Sequence, residues 1–343
     1  MQAIRIDSFL LSPSFSSLSP TTLPTPKPTG GEFLVRITHV ALQHVDLLYA
    51  QGKHQNNNAR RGHVHPPFIL GIDFAGIVLS VPGKERTSCK DIKVGDRVMG
   101  SKLGAFAEHI CAKKDQIWRV PDNIGNEAAA ALAGAAVSYG AVIQMAEVKK
   151  GETVLVTGAS GGLGIVACQV ARALGASVVG LVTSKEKADQ LRMQLGVGAV
   201  VNRKGWETEV KELAGDGVHA VIDNVGVVES SLRCLRFGGR IVLVGFAGRN
   251  GVMEEIAMNK VLLKGARIIG YRFGEQSRRD PQKSQAIWTG YLEMLGSGSV
   301  QPAIDPKRYI GIAEIPKALH DLQDKKVNGK AVVRVRDEAN AKL

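Results

Sequence analysis

The sequence predicts a β-rich domain at the start of the chain, followed by an α/β domain with a doubly wound parallel sheet. Short strand-like runs separated by Gly and Pro fill about the first 125 residues. Strand-like and helical runs alternate from about Asn126 onward. Parallel strands joined by helical crossovers form a doubly wound sheet, and a glycine-rich strand-to-helix turn at 158–164 is typical of one.

The β-rich domain is expected to span residues 1–125. A first strand is predicted at residues 3–6, and further strands at the runs FLVRITHVAL, FAGIVLSV, DRVMG and FAEHICA. The Ser-, Thr- and Pro-rich segment 12–29 lacks arginine and an apolar core, so it predicts a surface excursion rather than a targeting peptide.

The α/β domain is expected at residues 126–270. Its strands are predicted at VLVTG, SVVGLV, AVVN, HAVIDNV and RIVLVGF, with helices near 162–174, 185–195, 206–214 and 228–236. The tail 271–343, with helices near 284–296 and 314–324 and a strand at 331–335, is expected to return to the first domain. That return would leave a cleft between the two domains.

Residues 128–146 carry no formal charge and could be mistaken for a membrane span. They are mostly Ala and Gly, so one tightly packed helix of a soluble protein is the preferred interpretation. The net charge of +12 is spread over scattered basic pairs. This pattern favours a general attraction for anions over a nucleic-acid site.

The four cysteines, Cys89, Cys111, Cys168 and Cys234, are far apart and form no C-x-x-C. Their spacing argues against a structural zinc site and a disulfide framework, and it fits a reducing compartment. The cytoplasm is therefore expected. The last three residues, Ala341, Lys342 and Leu343, are a variant of the S-K-L peroxisomal address, so the peroxisomal matrix stays open as an alternative.

The turn after the first strand of the α/β domain has the spacing Gly158-x-x-Gly161-x-x-Gly164, one residue looser than G-x-G-x-x-G. Glycine allows positive φ and a close approach of the backbone to a pyrophosphate, and the helix that follows directs free N–H groups at it. The turn predicts a dinucleotide site formed by Gly158, Ser160, Gly161, Gly162, Leu163 and Gly164.

The second strand indicates which dinucleotide is bound. An NAD site carries Asp or Glu about 20 residues after the glycines. Here the strand is followed by Thr183 and Ser184, with Lys185 and Lys187 behind them. Hydroxyl and ammonium groups favour a 2′-phosphate, so NADPH is the predicted cofactor. In the alternative interpretation, Ser184 caps the next helix and the lysines form a solvated face.

The order and spacing of ten motifs resemble the medium-chain dehydrogenase/reductase superfamily, in particular its zinc-independent quinone oxidoreductase branch. The motifs are ALQHVDLLYAQGKHQ, PFILGIDFAGIV, VGDRVMG, GAFAEH, EAAAALAGAAVSYGAV, GETVLVTGASGGLG, DNVG, GGRIVLVGFAG, YRFGEQSRRDP and NGKAVVRV. The resemblance implies a GroES-like catalytic domain split around a Rossmann domain. It further implies NADPH in the cleft and, usually, a homodimer.

Zinc-dependent members of the family carry ligands at positions that match Gln43, Ile72 with Asp73, and Ala135 in this sequence. None of these side chains is a thiolate or an imidazole, so the enzyme is expected to be free of metal.

The resemblance extends the cofactor site beyond the glycine turn. Arg203 stands where the family often has an aromatic residue near the adenosine, and its alternative interpretation is a solvent-facing turn. Asn224, Gly245 and Phe246 follow strands in the crevice that holds the nicotinamide half. Lys330 resembles a residue that approaches the cofactor from the tail.

The chain departs from the family pattern at the catalytic positions. Relatives usually read Asn-x-x-Asp where this chain has Gln43 and Asp46, and many have a tyrosine near His54. Gln43 and His54 are the predicted hydrogen-bond donors to an oxyanion formed by hydride transfer. A loop histidine without catalytic function is the alternative for His54, and Tyr49 is a further candidate that helical packing also explains.

The predicted reaction is NADPH-dependent reduction of a quinone or an α,β-unsaturated carbonyl. An enoyl reductase of a biosynthetic pathway, acting on a free or carrier-bound acyl chain, would have the same fold and cofactor. A second alternative is a low-turnover NADPH-binding protein with a structural or RNA-binding role.

Overall fold

A computed structural model of the chain describes residues 1–10, 14–60, 62–83, 91–249, 252 and 254–336. The chain forms two compact units. The first unit comprises Met1–Gly134 and Ala303–Leu343, and the second comprises Ala135–Pro302.

The described residues contain the following strands in chain order: β1 (Gln2–Ile6), β2 (Pro20–Thr22), β3 (Phe33–Ala41), β4 (Phe68–Ile69), β5 (Asp73–Ser80), β6 (Arg97–Ser101), β7 (His109–Ala112), β8 (Ile117–Arg119), β9 (Thr153–Thr157), β10 (Ser177–Val182), β11 (Gly198–Val201), β12 (Val218–Asp223), β13 (Leu235–Leu243), β14 (Arg267–Gly270), β15 (Tyr309–Ile310) and β16 (Val332–Arg334).

The α-helices among the same residues are α1 (His44–Ala50), α2 (Asn126–Leu132), α3 (Ala136–Gly140), α4 (Gly162–Ala173), α5 (Lys185–Leu195), α6 (Trp206–Ala214), α7 (Val228–Cys234), α8 (Met258–Lys264), α9 (Phe273–Arg279), α10 (Pro281–Gly296) and α11 (Ile315–Gln323). A π-helical turn, Ala141–Met145, continues α3.

The second unit is built on a six-stranded sheet in the order β11-β10-β9-β12-β13-β14, and all of its strand pairs are parallel. The central strand β9 is buried from Val154 to Thr157, as expected for a strand covered on both faces. This sheet confirms the predicted doubly wound α/β fold. The five predicted strands and the four predicted helices of this region are all present, whereas β14 was not predicted.

The first unit contains a seven-stranded sheet in the order β15-β16-β3-β5-β6-β8, with β7 paired to β3, and a smaller sheet β2-β1-β4. Its core is rich in fully buried aromatic side chains, among them Phe33, Phe74 and Phe106. The strands predicted at 3–6, 33–42, 74–81, 96–100 and 106–112 correspond to β1, β3, β5, β6 and β7. The segment 14–29 mostly runs along the surface, where β2 pairs with β1 and Phe15 is buried.

The structure differs from expectation where the chain passes from one unit to the other. The uncharged stretch 128–146 is two helices rather than one, because α2 packs against β3 and β5 of the first unit. Gly134 ends that unit with its Cα against the carboxylate of Asp73, so that an added Cβ would lie 2.7 Å from Oδ1. The first boundary therefore falls at 134/135 rather than at 125/126.

The second boundary also differs from the expected one at 270/271. Residues 271–302 belong to the second unit, because α10 packs against α3 and Gly290 lets the ring of Tyr139 approach its backbone. Only the part from Ala303 onward returns to the first unit, where β16 pairs with β3.

No single helix among the described residues is long and apolar enough to cross a membrane, and α2 passes that test only together with 136–145 as a bent pair. Cys111, Cys168 and Cys234 are buried free thiols. Cys89 and the tripeptide Ala341-Lys342-Leu343 lie outside the described residues.

Candidate functional site

The glycine turn between β9 and α4 forms a backbone cradle. Gly158 has φ +61°, a conformation that L side chains rarely adopt, and its carbonyl accepts a hydrogen bond of 3.0 Å from the N–H of Gly161. A Cβ on Gly164 would overlap the carbonyl oxygen of Gly158 and lie 2.7 Å from Cα of Ala159. Only glycine at 164 therefore lets α4 start this close to the strand.

The first turn of α4 presents backbone donors at this cradle. Gly161 is the N-cap, and the first intrahelical hydrogen bond runs from Ile165 N–H to Gly161 O. The N–H groups of Gly162, Leu163 and Gly164 thus precede the first acceptor of the helix, where they add to the positive end of its dipole. Ser138 Oγ fixes the turn by donating to Leu163 O at 2.8 Å. A pyrophosphate fits this arrangement of donors.

The carboxyl ends of β9 and β12 are tied together beside the cradle. Thr157 Oγ1 donates to Oδ1 of Asp223 at 2.6 Å and accepts a hydrogen bond from Asn224 N at 2.9 Å. Asp223 also accepts hydrogen bonds from the backbone N–H groups of Val225, Gly226 and Val227. Burial raises the pKa of Asp223, and these hydrogen bonds oppose the increase.

The predicted nicotinamide-side residues meet at the same edge of the sheet. Asn224 Nδ2 donates to Thr157 O at 2.9 Å, and a Cβ on Gly245 would lie 3.2 Å from Asn224 O. Phe246 follows with 37% of its side chain exposed. Thr157 and Asp223 were not among the site residues predicted from the sequence. The DNVG motif, which begins with Asp223 at the end of β12, was the sequence feature that indicated this part of the site.

The residues predicted to bind a 2′-phosphate lie at the end of β10 and the start of α5. Thr183 is exposed, and Ser184 is the N-cap of α5, with Oγ accepting a hydrogen bond of 3.3 Å from Lys187 N. Ser184 therefore caps α5, as in the alternative interpretation of this segment. A hydrogen bond from its own backbone N–H, followed by one from Ser184, lowers the pKa of Glu186 in the same turn.

Arg203 lies beyond β11 and is paired with Glu209, with Nη2 and Oε1 2.9 Å apart and 69% of the arginine side chain exposed. An open pocket adjoins it between α5, β11 and α6. The lining includes three cationic side chains and one carboxylate: Lys185, Arg192, Arg203 and Glu209. Arg203 is thus largely exposed, as its alternative interpretation as a solvent-facing turn residue expects, and it lines this basic pocket.

Lys330 lies in the first unit and is buried. Its Nζ is 3.1 Å from Oδ2 of Asp73, and the two side chains are 5% and 0% exposed. Ser101 Oγ donates to the other carboxylate oxygen of Asp73 at 3.2 Å. The structure therefore pairs Lys330 with a buried carboxylate of its own unit.

A second buried carboxylate lies near this ion pair. Asp46 accepts a hydrogen bond of 2.8 Å from Gln43 N, while its Oδ1 has no partner among the described residues. Burial raises the pKa of Asp46 to about 8, and the nearby Asp73 acts in the same direction. Burial also raises the pKa of Asp73, and Lys330 opposes this increase.

These residues bear on the zinc question. Two of the positions that match zinc ligands lie in the first unit: the half-buried Gln43 and the Ile72–Asp73 pair. The carboxylate of Asp73 is bound by the ammonium group of Lys330. Within the described ranges, no group of three or more His, Cys, Asp or Glu side chains is placed to hold a metal ion.

Tyr49, in the last turn of α1, and His54, just after the helix, form one cluster. Their rings stack with centroids 4.2 Å apart, and His54 Nδ1 accepts a hydrogen bond of 3.1 Å from Asn56 N. Asn56 Nδ2 donates to Tyr49 Oη at 2.7 Å. The neutral His54 ring therefore carries its proton on Nε2, which makes Nε2 a donor.

Comparison with known proteins assigns both units. Residues 162–288 match the family model of zinc-binding dehydrogenases, and residues 29–122 match that of the alcohol dehydrogenase GroES-like domain. Quinone oxidoreductase-like protein 2 of Bos taurus is 32% identical over 325 residues, which cover 91% of this chain and 88% of that protein. Acryloyl-coenzyme A reductase of Metallosphaera sedula is 30% identical, with coverage of 90% and 93%.

A solved structure agrees with these relatives. The quinone oxidoreductase of Thermus thermophilus, which was also solved in complex with NADPH, matches with a TM-score of 0.79 and 26% identity over 98% of this chain and 100% of that one. The predicted Rossmann and GroES-like folds are confirmed. The chain belongs to the medium-chain dehydrogenase/reductase superfamily, in which its relatives include quinone oxidoreductases and an acryloyl-coenzyme A reductase.

Proposed function

We propose that the protein is an NADPH-dependent reductase that transfers hydride to a quinone or an α,β-unsaturated carbonyl compound without a metal. The backbone cradle at Gly158–Gly164 carries this proposal, because its glycine-only geometry and its N–H donors fit a pyrophosphate. The NADPH complex of the Thermus thermophilus relative supports the choice of cofactor.

The preference for the phosphorylated dinucleotide rests on the end of β10. Thr183 and Ser184 occupy the place where an NAD site has a carboxylate, and Lys187 follows one turn into α5. The hydroxyl of Ser184 and the ammonium of Lys187 are donors for a 2′-phosphate dianion. Arg203 and the basic pocket beside it add positive charge on the same side of the sheet.

Bound NADPH would supply the hydride, and the chain would stabilise the negative charge that forms on the substrate oxygen. His54 has the tautomer of a donor, because Nδ1 accepts from Asn56 N and leaves the proton on Nε2. Gln43, at the start of α1, supplies a neutral amide donor that also hydrogen-bonds the carboxylate of Asp73. Tyr49 holds His54 in place by ring stacking and is a supporting residue in this proposal.

Catalysis without metal is supported by the contacts of Asp73. Its carboxylate binds the ammonium of Lys330 and the hydroxyl of Ser101, and neither neighbour is a metal ligand type of zinc dehydrogenases. A conjugated substrate fits catalysis without a metal, because conjugation already activates the carbon that accepts the hydride.

Reduction of an enoyl thioester is the second candidate. It is favoured by the 30% identity with acryloyl-coenzyme A reductase over nearly the whole of both chains. Hydride addition to either substrate class produces an oxyanion, so the same donors serve both reactions.

We further propose a homodimer through the edge of the six-stranded sheet. β14 is its outermost strand, and large apolar side chains beside it are exposed: Phe237 by 77%, Met258 by 68%, Leu262 by 79% and Leu263 by 75%. Pairing of this face with a second copy would cover them and the strand edge. A Leu262→Glu variant that stays dimeric by light scattering would contradict this.

Titration of the purified chain with NADPH and NADH, followed by NADPH oxidation assays, tests the main proposal. We expect tighter binding of NADPH, and turnover with a quinone or an enone. Lys187→Ala should weaken NADPH binding by about tenfold and leave NADH binding unchanged. Lys211→Ala, an exposed lysine of α6, is the matched control. Indifference to both nucleotides would overturn the proposal, whereas tight binding without any turnover would favour a cofactor-binding protein.

A further inference from the structure

Three polar side chains of the first unit meet where neighbouring strands of its larger sheet begin or end. β16, β3 and β5 are adjacent in that sheet. Ala41 at the end of β3 pairs with Asp73 at the start of β5 and with Val332 at the start of β16. Gln43 follows β3 by two residues, and Lys330 precedes β16 by two. Strand pairing thus brings an amide, a carboxylate and an ammonium group to one edge of the sheet.

The carboxylate of Asp73 is the centre of this group. Its Oδ2 accepts a hydrogen bond of 3.1 Å from Lys330 Nζ, and its Oδ1 accepts one of 3.2 Å from Ser101 Oγ. The side-chain amide of Gln43 also hydrogen-bonds this carboxylate. The ammonium group favours the ionised carboxylate, which only accepts hydrogen bonds, so the amide nitrogen Nε2 of Gln43 faces it. Asp73 therefore sets the orientation of the Gln43 amide.

Packing holds this carboxylate in place. Asp73 is 0% exposed and Lys330 is 5% exposed. Gly134 lies beside them, where an added Cβ would be 2.7 Å from Asp73 Oδ1. The backbone of Lys330 is fixed as well, because its N–H donates to Ala303 O at 2.8 Å. Reorientation of either buried side chain would leave polar atoms without partners, so the arrangement is rigid.

Gln43 keeps a donor besides the one directed at Asp73. An amide nitrogen carries two hydrogens, and the contact with Asp73 uses one of them. The backbone of Gln43 is held separately, since its N–H donates to Asp46 Oδ2 at 2.8 Å. A donor whose direction is fixed before the substrate binds stabilises a developing oxyanion without reorganisation. The proposed reaction requires this property of Gln43.

We propose that Asp73 and Lys330 are positioning residues of the reaction: Asp73 orients the amide of Gln43 as an oxyanion donor, and Lys330 holds Asp73 in place. This inference rests on the proposed function and extends it from the donor to the residues behind it. It also gives Lys330 a role that needs no contact with the cofactor.

A double-mutant cycle tests the path through Gln43, with methyl vinyl ketone and 1,4-benzoquinone as substrates and NADPH as reductant. Asp73→Asn should lower kcat about tenfold and leave the affinity for NADPH unchanged, because the amide loses its alignment. In a Gln43→Leu background the same change should leave kcat unaltered. Equal losses of kcat in both backgrounds would show that Asp73 does not act through Gln43, and would overturn the inference.

A second carboxylate provides the control for general destabilisation. Asp321 is also buried in the first unit and paired with a lysine, Lys307. Asp321→Asn should lose stability, measured by urea unfolding, without losing kcat, and an equal loss of kcat in this variant overturns the inference. If circular dichroism shows that Asp73→Asn does not fold, Ser101→Ala takes its place. That variant removes one donor to Asp73 and should lower kcat about threefold, whereas an unchanged kcat would overturn the inference.

A conservative substitution distinguishes two roles of Lys330. Lys330→Met removes the ammonium group and should lower kcat to the level of Asp73→Asn, with unchanged affinity for NADPH. Lys330→Arg keeps a cation and should restore most of kcat. Weaker NADPH binding by Lys330→Met at an unchanged kcat would identify a cofactor ligand and overturn the inference.

A measurement without turnover separates this inference from the proposed function. If neither substrate is reduced, the proposed reductase function fails, whereas NMR of the full chain labelled with 15N-glutamine still tests the contact of Gln43 with Asp73. The side-chain signals of Gln43, identified by their loss in Gln43→Leu, should shift in Asp73→Asn and stay in place in Asp321→Asn. Gln43 signals that are the same in the wild type and in Asp73→Asn overturn the inference.

Discussion

Thr157 and Asp223 join the ends of two neighbouring parallel strands through a buried hydrogen bond of 2.6 Å. β9 leads into the glycine cradle, and β12 leads into the corner that contains Asn224. Because Asp223 also binds three successive backbone N–H groups, the bond fixes both corners to one carboxylate. This crevice lies where the strand order reverses, the usual position of a nucleotide in an open α/β sheet.

Removal of the Thr157 hydroxyl should loosen the crevice between β9 and β12. Thr157→Val is expected to lower the free energy of unfolding by about 1–3 kcal/mol, because buried Asp223 loses a donor and Asn224 N loses an acceptor. NADPH affinity should fall as well. Urea unfolding and cofactor titration measure both effects. Thr153→Val on the same strand is the control, and equal stability of the two variants would contradict the prediction.

The close approach of α4 to its turn predicts the effect of a single methyl group. Gly164→Ala should push the helix away from Gly158 and weaken NADPH binding by more than about tenfold, since the backbone donors would leave their positions. Gly296→Ala, at the end of α10, meets no atom within 4 Å and should bind like the wild type. Circular dichroism checks that both variants are folded. Wild-type affinity in a folded Gly164→Ala protein would refute the cradle.

Asp46 gives a dependence of stability on pH. Its pKa is raised from 3.8 to about 8 in the folded protein, so the folded state keeps a proton that the unfolded state has lost. This contribution to stability is complete below the unfolded pKa and disappears as the pH rises through 8. Relative to Asp46→Asn, wild-type stability should therefore fall from about pH 5 to about pH 8, by at most about 1.4 kcal/mol per pH unit.

Denaturant unfolding at several pH values measures this difference. Asp73 is present in both proteins, so its own titration largely cancels in the comparison. Asp122→Asn, an exposed position, is the control and should follow the wild type. Parallel stability curves for wild type and Asp46→Asn would show that Asp46 is ionised in the folded protein.

Removal of Arg240 from its buried ion pair with Glu152 should strongly destabilise the second unit. The two side chains are 8% and 17% exposed, and Arg240 also donates to the carbonyls of Ala146, Glu147 and His219. Arg240→Met should cost about 3–5 kcal/mol, because these groups are left unpaired. Arg233→Met removes an arginine that is 65% exposed and should cost less than about 1 kcal/mol. Thermal unfolding compares the two, and similar losses would disprove the distinction.

His54→Phe tests the proposed oxyanion donor. Phenylalanine keeps the ring against Tyr49 but removes both nitrogens, so kcat with an enone should fall about 10²-fold, the effect of losing one such donor. His320→Phe, on the half-exposed α11 histidine, should leave kcat unchanged. An unaltered kcat and pH profile for His54→Phe would remove this histidine from the mechanism.

Predictions from the sequence were most successful where a local pattern decides the structure. The glycine spacing predicted the turn at Gly158, because positive φ and backbone contact leave few other residues possible there. Predictions of the boundaries between the two units were less successful. The uncharged stretch 128–146 has one composition, yet Gly134 against Asp73 ends one unit and α3 begins another.

The candidate site shows the same division. Ser184 and Lys187 could be named from their place after a strand, but only the structure shows that Ser184 Oγ already accepts from Lys187 N. Lys330 was assigned to the cofactor from a motif, and only the structure shows that it is buried against Asp73. A motif states which residues are present and does not say which way they face.

The sequence by itself determined the alternation of strands and helices, the glycine turn and the lack of an acid at Thr183, because each depends on neighbouring residues and the backbone. Tertiary structure alone decided that Thr157 meets Asp223 across 66 positions and that Lys330 meets Asp73 across 257. Such pairs form because burial leaves a polar group no water to bind, so its partner is whichever group the packing of the sheets brings within reach.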